Sequence, residues 1–161
     1  MRLRGELATA PGARRIEEGF TLVELALVFS LIGILSAIAI SGYASYQERA
    51  RKTQAIVDIK NIATEIDGYE VATGKLPSTL AEAGAGGMID VWGNPYQYLR
   101  LDPKDKGQPR KDKFIVPIHS DFDLYSKGPD GRSAPPLTSK LSRDDIIRAS
   151  NGSYIGVAAN Y

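Results

Sequence analysis

The 161-residue sequence has no cysteine and one histidine, His119. The first absence excludes disulfides, a cysteine nucleophile and any thiolate zinc site. A lone imidazole builds no histidine metal cluster, and serines beside a single histidine are too common to signal a catalytic triad. No glycine-rich phosphate motif is present. An excess of one charge is missing too. Twenty Lys and Arg face 19 Asp and Glu, a net charge of +1, so the basic footprint of a nucleic-acid binder is absent. No constellation for catalysis remains. The length suits one domain plus one long helix. With no covalent staple, stability has to come from a core, a metal or neighbouring copies.

What the chain does have is Gly19 to Ile40, GFTLVELALVFSLIGILSAIAI. From Phe20 to Ile40 every residue is apolar or small except Glu24. As a helix this run is roughly 30 Å long, the thickness of a bilayer's hydrocarbon core. Gly33, Ser36, Ala37 and Ala39 would let a second helix approach closely. A carboxylate at this depth costs a few kcal/mol unless it finds a partner, which makes Glu24 a functional candidate. Residues 1–19 carry Arg2, Arg4, Arg14 and Arg15 against Glu6, Glu17 and Glu18, with Pro11-Gly12 as a breaker. This segment has no apolar core of its own, unlike a secretory signal cut after its apolar run. Its arginines favour retention of that end in the cytoplasm. An ordinary signal anchor is the bland alternative.

Beyond Ile40, the residues Ile56, Ile59, Ala63, Ile66 and Tyr69 recur every three or four positions among charges, the pattern of an amphipathic helix. Gly74 and Pro77 terminate it. A helix from Phe20 to about Thr73 would be roughly 80 Å long. Ser41-Gly42 leaves a kink or a melted turn open, although no proline forces one. Ser78 is placed to cap a short helix through Glu82, ahead of the mobile run Gly84 to Gly87. Gly93-Asn94-Pro95 is turn chemistry, and Tyr96 to Leu99 alternates like a strand. Trp92, the single tryptophan, suits a core position. Residues 102–113, DPKDKGQPRKDK, read as a solvated hairpin tip. Strands are expected at Phe114–Ile118 and Phe122–Tyr125, and a short strand or packed tail at Gly152–Val157. Together these predict an α+β fold in which a small antiparallel sheet covers the apolar stripe of the helix.

The order Gly19-Phe20-Thr21-Leu22-Val23-Glu24, after a charged segment and before an apolar helix, resembles the class III signal of type IV pilins and type II secretion pseudopilins. The resemblance implies a pilin-like fold. It also implies a leader at 1–19, a transmembrane and polymerisation helix at 20–43 and a periplasmic head at 44–161. Prepilin peptidase would cut between Gly19 and Phe20 and the new Phe20 amine would be methylated. Phe20 and Glu24 are close enough to pair within one helix. The resemblance implies instead that Glu24 meets the Phe20 amine of a neighbouring subunit. The subunit would sit in the inner membrane, N-terminus inside, until assembled with copies of itself and minor pseudopilins by a membrane platform.

Asp90 to Tyr98 resembles the Asp-Pro-Trp-Gly-Asn-Pro-Tyr segment of major pseudopilins, with Val91 in place of the proline. Tyr125-Ser126-Lys127-Gly128-Pro129-Asp130-Gly131, with Asp144-Asp145-Ile146 further on, resembles their calcium loop. That likeness implies calcium ligands at the Lys127 carbonyl and at Asp130, Asp144 and Asp145. Calcium takes six to eight oxygens, which such loops can supply. The spacer from Arg132 to Arg143, RSAPPLTSKLSR, is longer than the family's. It brings Arg132, Lys140 and Arg143, any of which could pair with the aspartates in place of a metal. Ser142 before Asp144 and Asp145 also reads as a helix start. The expected function is that of a structural subunit of a secretion pseudopilus, not an enzyme. The alternatives are a minor type IV pilin and a membrane-anchored calcium-binding module that never polymerises.

Overall fold

The computed structural model describes residues 19–101, 109–112, 114 and 117–161. Residues 1–18 of the leader read at 1–19, and most of the 102–113 loop, therefore lie outside the described residues. The chain divides after Gly42 into two units, which share one long helix, α1, Leu22–Thr73.

In the first unit α1 begins at Leu22, two residues later than the apolar run suggests, because Thr21 is held in the capping position. Every large apolar side chain from Phe20 to Ile40 is exposed. Among the described residues this is the one helix long and apolar enough to cross a membrane.

In the second unit α1 turns a stripe inward. Ala55, Ile59, Ile62 and Ile66 are fully buried and Ala63 nearly so, while Ile56 and Tyr69 pack at the edge. The expected stripe holds, with Ile59, Ala63 and Ile66 in the core, and Ala55 and Ile62 widen it. Helical assignment continues through Ser41 and Gly42. It stops where Gly74 takes the left-handed conformation, φ 75°, with its N–H donating to the Glu70 carbonyl. A side chain would resist that conformation, which is the usual reason for glycine after a helix.

From Ser78 to Gly84 the chain makes turns and no helix. The Ser78 N–H donates to the Glu82 carboxylate at 2.7 Å, so the glutamate caps the serine, the reverse of the expected arrangement. The Tyr96 hydroxyl donates to Asp58 on α1 and the Tyr98 hydroxyl to the Pro77 carbonyl. Trp92 is half-buried against the α1 core.

Four strands follow: β1 Gln97–Arg100, β2 Phe122–Ser126, β3 Ile146–Ala149 and β4 Tyr154–Val157. They pair in sequence order, all antiparallel. Successive side chains point to opposite faces. Phe122, Leu124 and Ile146 face the α1 core, whereas Ile147 and Ala149 build a second cluster with Ile118, Leu137 and Ala158. The strand expected at Phe114–Ile118 is not formed among the described residues. Phe114 lies in a turn and Pro117 makes an isolated bridge to Lys111. The expected helix start at Ser142 is replaced by a 3-10 turn ending there, Lys140–Ser142, and then β3. The Ser142 hydroxyl is spent on both backbone groups of Ala134, which closes the 134–142 loop.

Candidate functional site

At the start of α1, Thr21 and Glu24 satisfy each other. The Glu24 N–H donates to the Thr21 hydroxyl oxygen at 3.2 Å. The Thr21 N–H and hydroxyl donate to Glu24 Oε2 at 2.9 and 2.8 Å. This reciprocal capping box supplies acceptors to donors that a helix start leaves orphaned. It also sets a carboxylate at the positive end of the helix dipole. In the uncleaved chain the partner of Glu24 is therefore Thr21, three residues away; a free Phe20 amine would exist only after cleavage. The Thr-x-x-Glu spacing was visible in the sequence and is the signal that reveals Thr21. Phe20 is 86% exposed and a side chain at Gly19 would meet nothing within 4 Å, so the Gly19–Phe20 bond is open to an approaching protein.

The second set of residues lies around the 126–146 loop. Asp90 anchors it from outside. One carboxylate oxygen accepts from the N–H groups of Trp92 and Asn94, the other from the Ser126 hydroxyl, and the Asn94 side chain donates to the Gly128 carbonyl at 3.0 Å. This network fixes the turn after β2. Lys127 is half-buried at its start and Asp130 is exposed, with Asp130 Oδ1 accepting from the Arg132 N–H. Asp144 is half-buried and its backbone presses on Gly128. Asp145 is fully buried, its Oδ2 taking hydrogen bonds from Arg110 and from the Ser133 hydroxyl. Asp144 and Asp145 are thus neighbours in sequence but sit in different surroundings, one half-buried and one fully buried. Burial pushes the Asp145 carboxyl up, and the Arg110 charge and the two hydrogen bonds only partly offset it.

These residues do not fit a calcium site built on all three carboxylates. Among the described residues no three acidic or histidine side chains gather closely enough to hold a metal ion. One oxygen of the inner carboxylate, Oδ2, is already taken by a guanidinium 2.5 Å away, and the other, Oδ1, is buried with no hydrogen-bond partner among the described residues. Nor do Arg132, Lys140 or Arg143 form an ion pair with these aspartates among the described residues. The cation comes from Arg110, in the stretch that reads as a solvated loop, and Arg110 is 3% exposed. Its place in a run of Lys, Asp and Gln gives no local sign of burial.

Next to Arg110 lies a further buried pair. His119 Nε2 is 3.3 Å from Asp123 Oδ1, near enough for an ion pair but not aligned as a hydrogen bond. Asp123 Oδ2 accepts the Arg110 N–H at 2.7 Å. Burial pushes the Asp123 carboxyl up to about 6 against the pull of Arg110. Burial, with the nearby Arg148 charge, pushes the His119 imidazole down to about 4. Arg148 lies over the Phe122 ring and pairs with Asp121 at 2.7 Å. Burial opposes ionisation of Asp121, but the bonds from Arg148 and the Phe122 N–H outweigh it and lower its pKa.

Against known proteins, residues 43–140 match the family model described as type II secretion system, protein G, and residues 14–40 match the prokaryotic N-terminal methylation motif. The chain is 34% identical over 140 residues to type II secretion system core protein G of Pseudomonas aeruginosa, covering 74% of this chain and 88% of that protein. It is 27% identical over 125 residues to core protein G of Dickeya chrysanthemi, covering 73% and 80%. A fimbrial protein of Neisseria meningitidis is 33% identical over 86 residues, covering 53% of this chain and 51% of its own length. No solved structure gives a significant match. The exposed apolar helix, its Gly-Phe start and the head built on α1 accord with these matches: the chain belongs to the type II secretion system protein G family.

Proposed function

We propose that the protein is a structural subunit of a type II secretion pseudopilus, polymerising through α1 to drive protein export across the outer membrane. The observation that carries this reading is the fully exposed apolar face of Phe20 to Ile40 on a chain whose head matches protein G. Water does not tolerate so long an apolar surface, so it needs lipid before assembly and neighbouring helices afterwards. The subunit waits as a single-pass inner-membrane protein, N-terminus cytoplasmic and head periplasmic. Prepilin peptidase removes residues 1–19 and methylates Phe20. The assembly platform and minor pseudopilins then take it into the filament. The subunit has no catalytic role of its own.

Glu24 has two successive partners in this scheme. Before assembly it caps α1 through Thr21. On docking, the amine of Phe20 from an adjacent subunit approaches the same carboxylate and sets the axial register. A full charge outcompetes two neutral donors in a water-poor setting. The type IV pilin reading is supported by the fimbrial match, but that match spans about half of the chain, whereas the protein G relatives span nearly three quarters.

The test is Glu24→Ala in cells that carry the secretion machinery. Leader cleavage is expected to continue, since the scissile bond is untouched, while sheared filament and exported protein fall at least tenfold. Normal filaments from this variant would remove Glu24 from assembly. Absence of any filament from the unaltered chain would leave the anchored, non-polymerising module.

A further inference from the structure

We propose that Arg110 is a built-in cation for the 126–146 loop, a guanidinium that ties the 132–143 segment to the sheet in place of a bound metal ion.

The ties are all on one face of the sheet. Arg110 donates through Nη2 to Asp145 and through Nη1 to the Ser133 hydroxyl, and that hydroxyl donates on to the same Asp145 oxygen at 2.7 Å. Its backbone N–H donates to Asp123 on β2. Its guanidinium lies 4.0 Å from the centre of the Tyr125 ring, also on β2. The next residue continues the attachment. The Lys111 N–H donates to the Pro135 carbonyl, and the Lys111 carbonyl accepts from the Leu137 N–H, each at 2.9 Å. One short stretch therefore joins β2, the 133–137 segment and the entry to β3.

Charge sets this arrangement against a bound metal ion. A planar guanidinium supplies several fixed donors and satisfies a carboxylate in a dry setting better than an ammonium does. A divalent ion at Asp145 would stand beside that guanidinium and repel it. Displacing Arg110 instead would leave a buried positive charge unpaired, which is strongly unfavourable. The loop is thus closed by the chain itself, and its folded state does not depend on calcium. The inference concerns the head alone and stands or falls separately from filament assembly.

The experiment is thermal unfolding of the full chain in detergent micelles, followed by the fluorescence of Trp92, the single tryptophan, in millimolar calcium and then in chelator. The unaltered chain is expected to melt at the same midpoint in both. Arg110→Gln strands Asp145 and is expected to lower the midpoint by more than about 10 °C. Adding Asp145→Asn to Arg110→Gln is expected to recover part of that loss, because neither charge is then left alone. A midpoint of the unaltered chain raised by calcium would overturn the proposal. So would an Arg110→Gln midpoint equal to the parent's, or losses in the double variant that simply add. If Arg110→Gln fails to fold, the response of the unaltered chain to calcium decides the matter.

Discussion

His119 and Asp123 show how two buried groups can hide each other's titration. In the folded head burial holds Asp123 at about 6 and His119 at about 4. In an unfolded chain the ordinary values are about 3.9 for Asp and 6.5 for His. Between about pH 4 and 6 the folded pair keeps its one proton on the aspartate, and the unfolded pair keeps one on the histidine. Equal proton numbers mean no net slope of stability with pH from this pair. Taken singly the signs oppose. The raised Asp123 stabilises the fold fully below about pH 4 and loses that contribution as pH rises toward 6. The lowered His119 costs stability in acid, and the cost disappears as pH rises from about 4 to 6.5. Asp123→Asn should therefore unmask the histidine, with stability climbing about 1.4 kcal/mol per pH unit over that window. Denaturant titrations at half-unit steps would check it, and a variant as flat as its parent would refute the pairing. The charged groups that face the pair are Asp121, Arg148 and Arg110.

Among the elements, the turn after β2 depends on a glycine that no other residue replaces. Gly128 has φ 63°, and a Cβ there would lie 2.5 Å from the Asp144 carbonyl oxygen and 3.2 Å from its carboxylate. Backbone strain and overpacking act together at this point. Gly128→Ala should cost about 2–4 kcal/mol, measured as a lower denaturation midpoint of the full chain in detergent. A loss below about 0.5 kcal/mol, the scale of ordinary surface changes, would mean that the turn is free to move. The two faces of the sheet explain why the turn is held in place. Phe122, Leu124 and Ile146 close the α1 core on one side, and Ile147 and Ala149 close the second cluster on the other. The turn is thereby held from both directions without a disulfide.

At the scale of the molecule, the chain joins a helix whose apolar half is exposed to a head whose core is closed, and the proposed cleavage after Gly19 connects the two in function. Gly19→Leu should leave the leader attached, as intact mass would show, and should abolish filaments; a processed variant would place the cut elsewhere. Much of this was legible from residue order. The apolar run and the α1 stripe act within one helix, where separation along the chain translates directly into geometry, and the Thr21–Glu24 spacing that caps it is as local. The strands at Tyr96 to Leu99 and Phe122 to Tyr125 carry their own alternation. Other features were settled only by packing. Ile146 to Ala149 is short and follows two aspartates, so it reads as a helix start until β2 and β4 pair with it. Arg110 stands in a stretch of like polar residues, and nothing local marks it apart from Lys111. It is chosen by an aspartate 35 positions away and a tyrosine on β2. Whether a charged side chain is solvated or desolvated depends on what the rest of the chain lays over it, and that is a property of the folded surfaces, which the order of residues does not carry by itself.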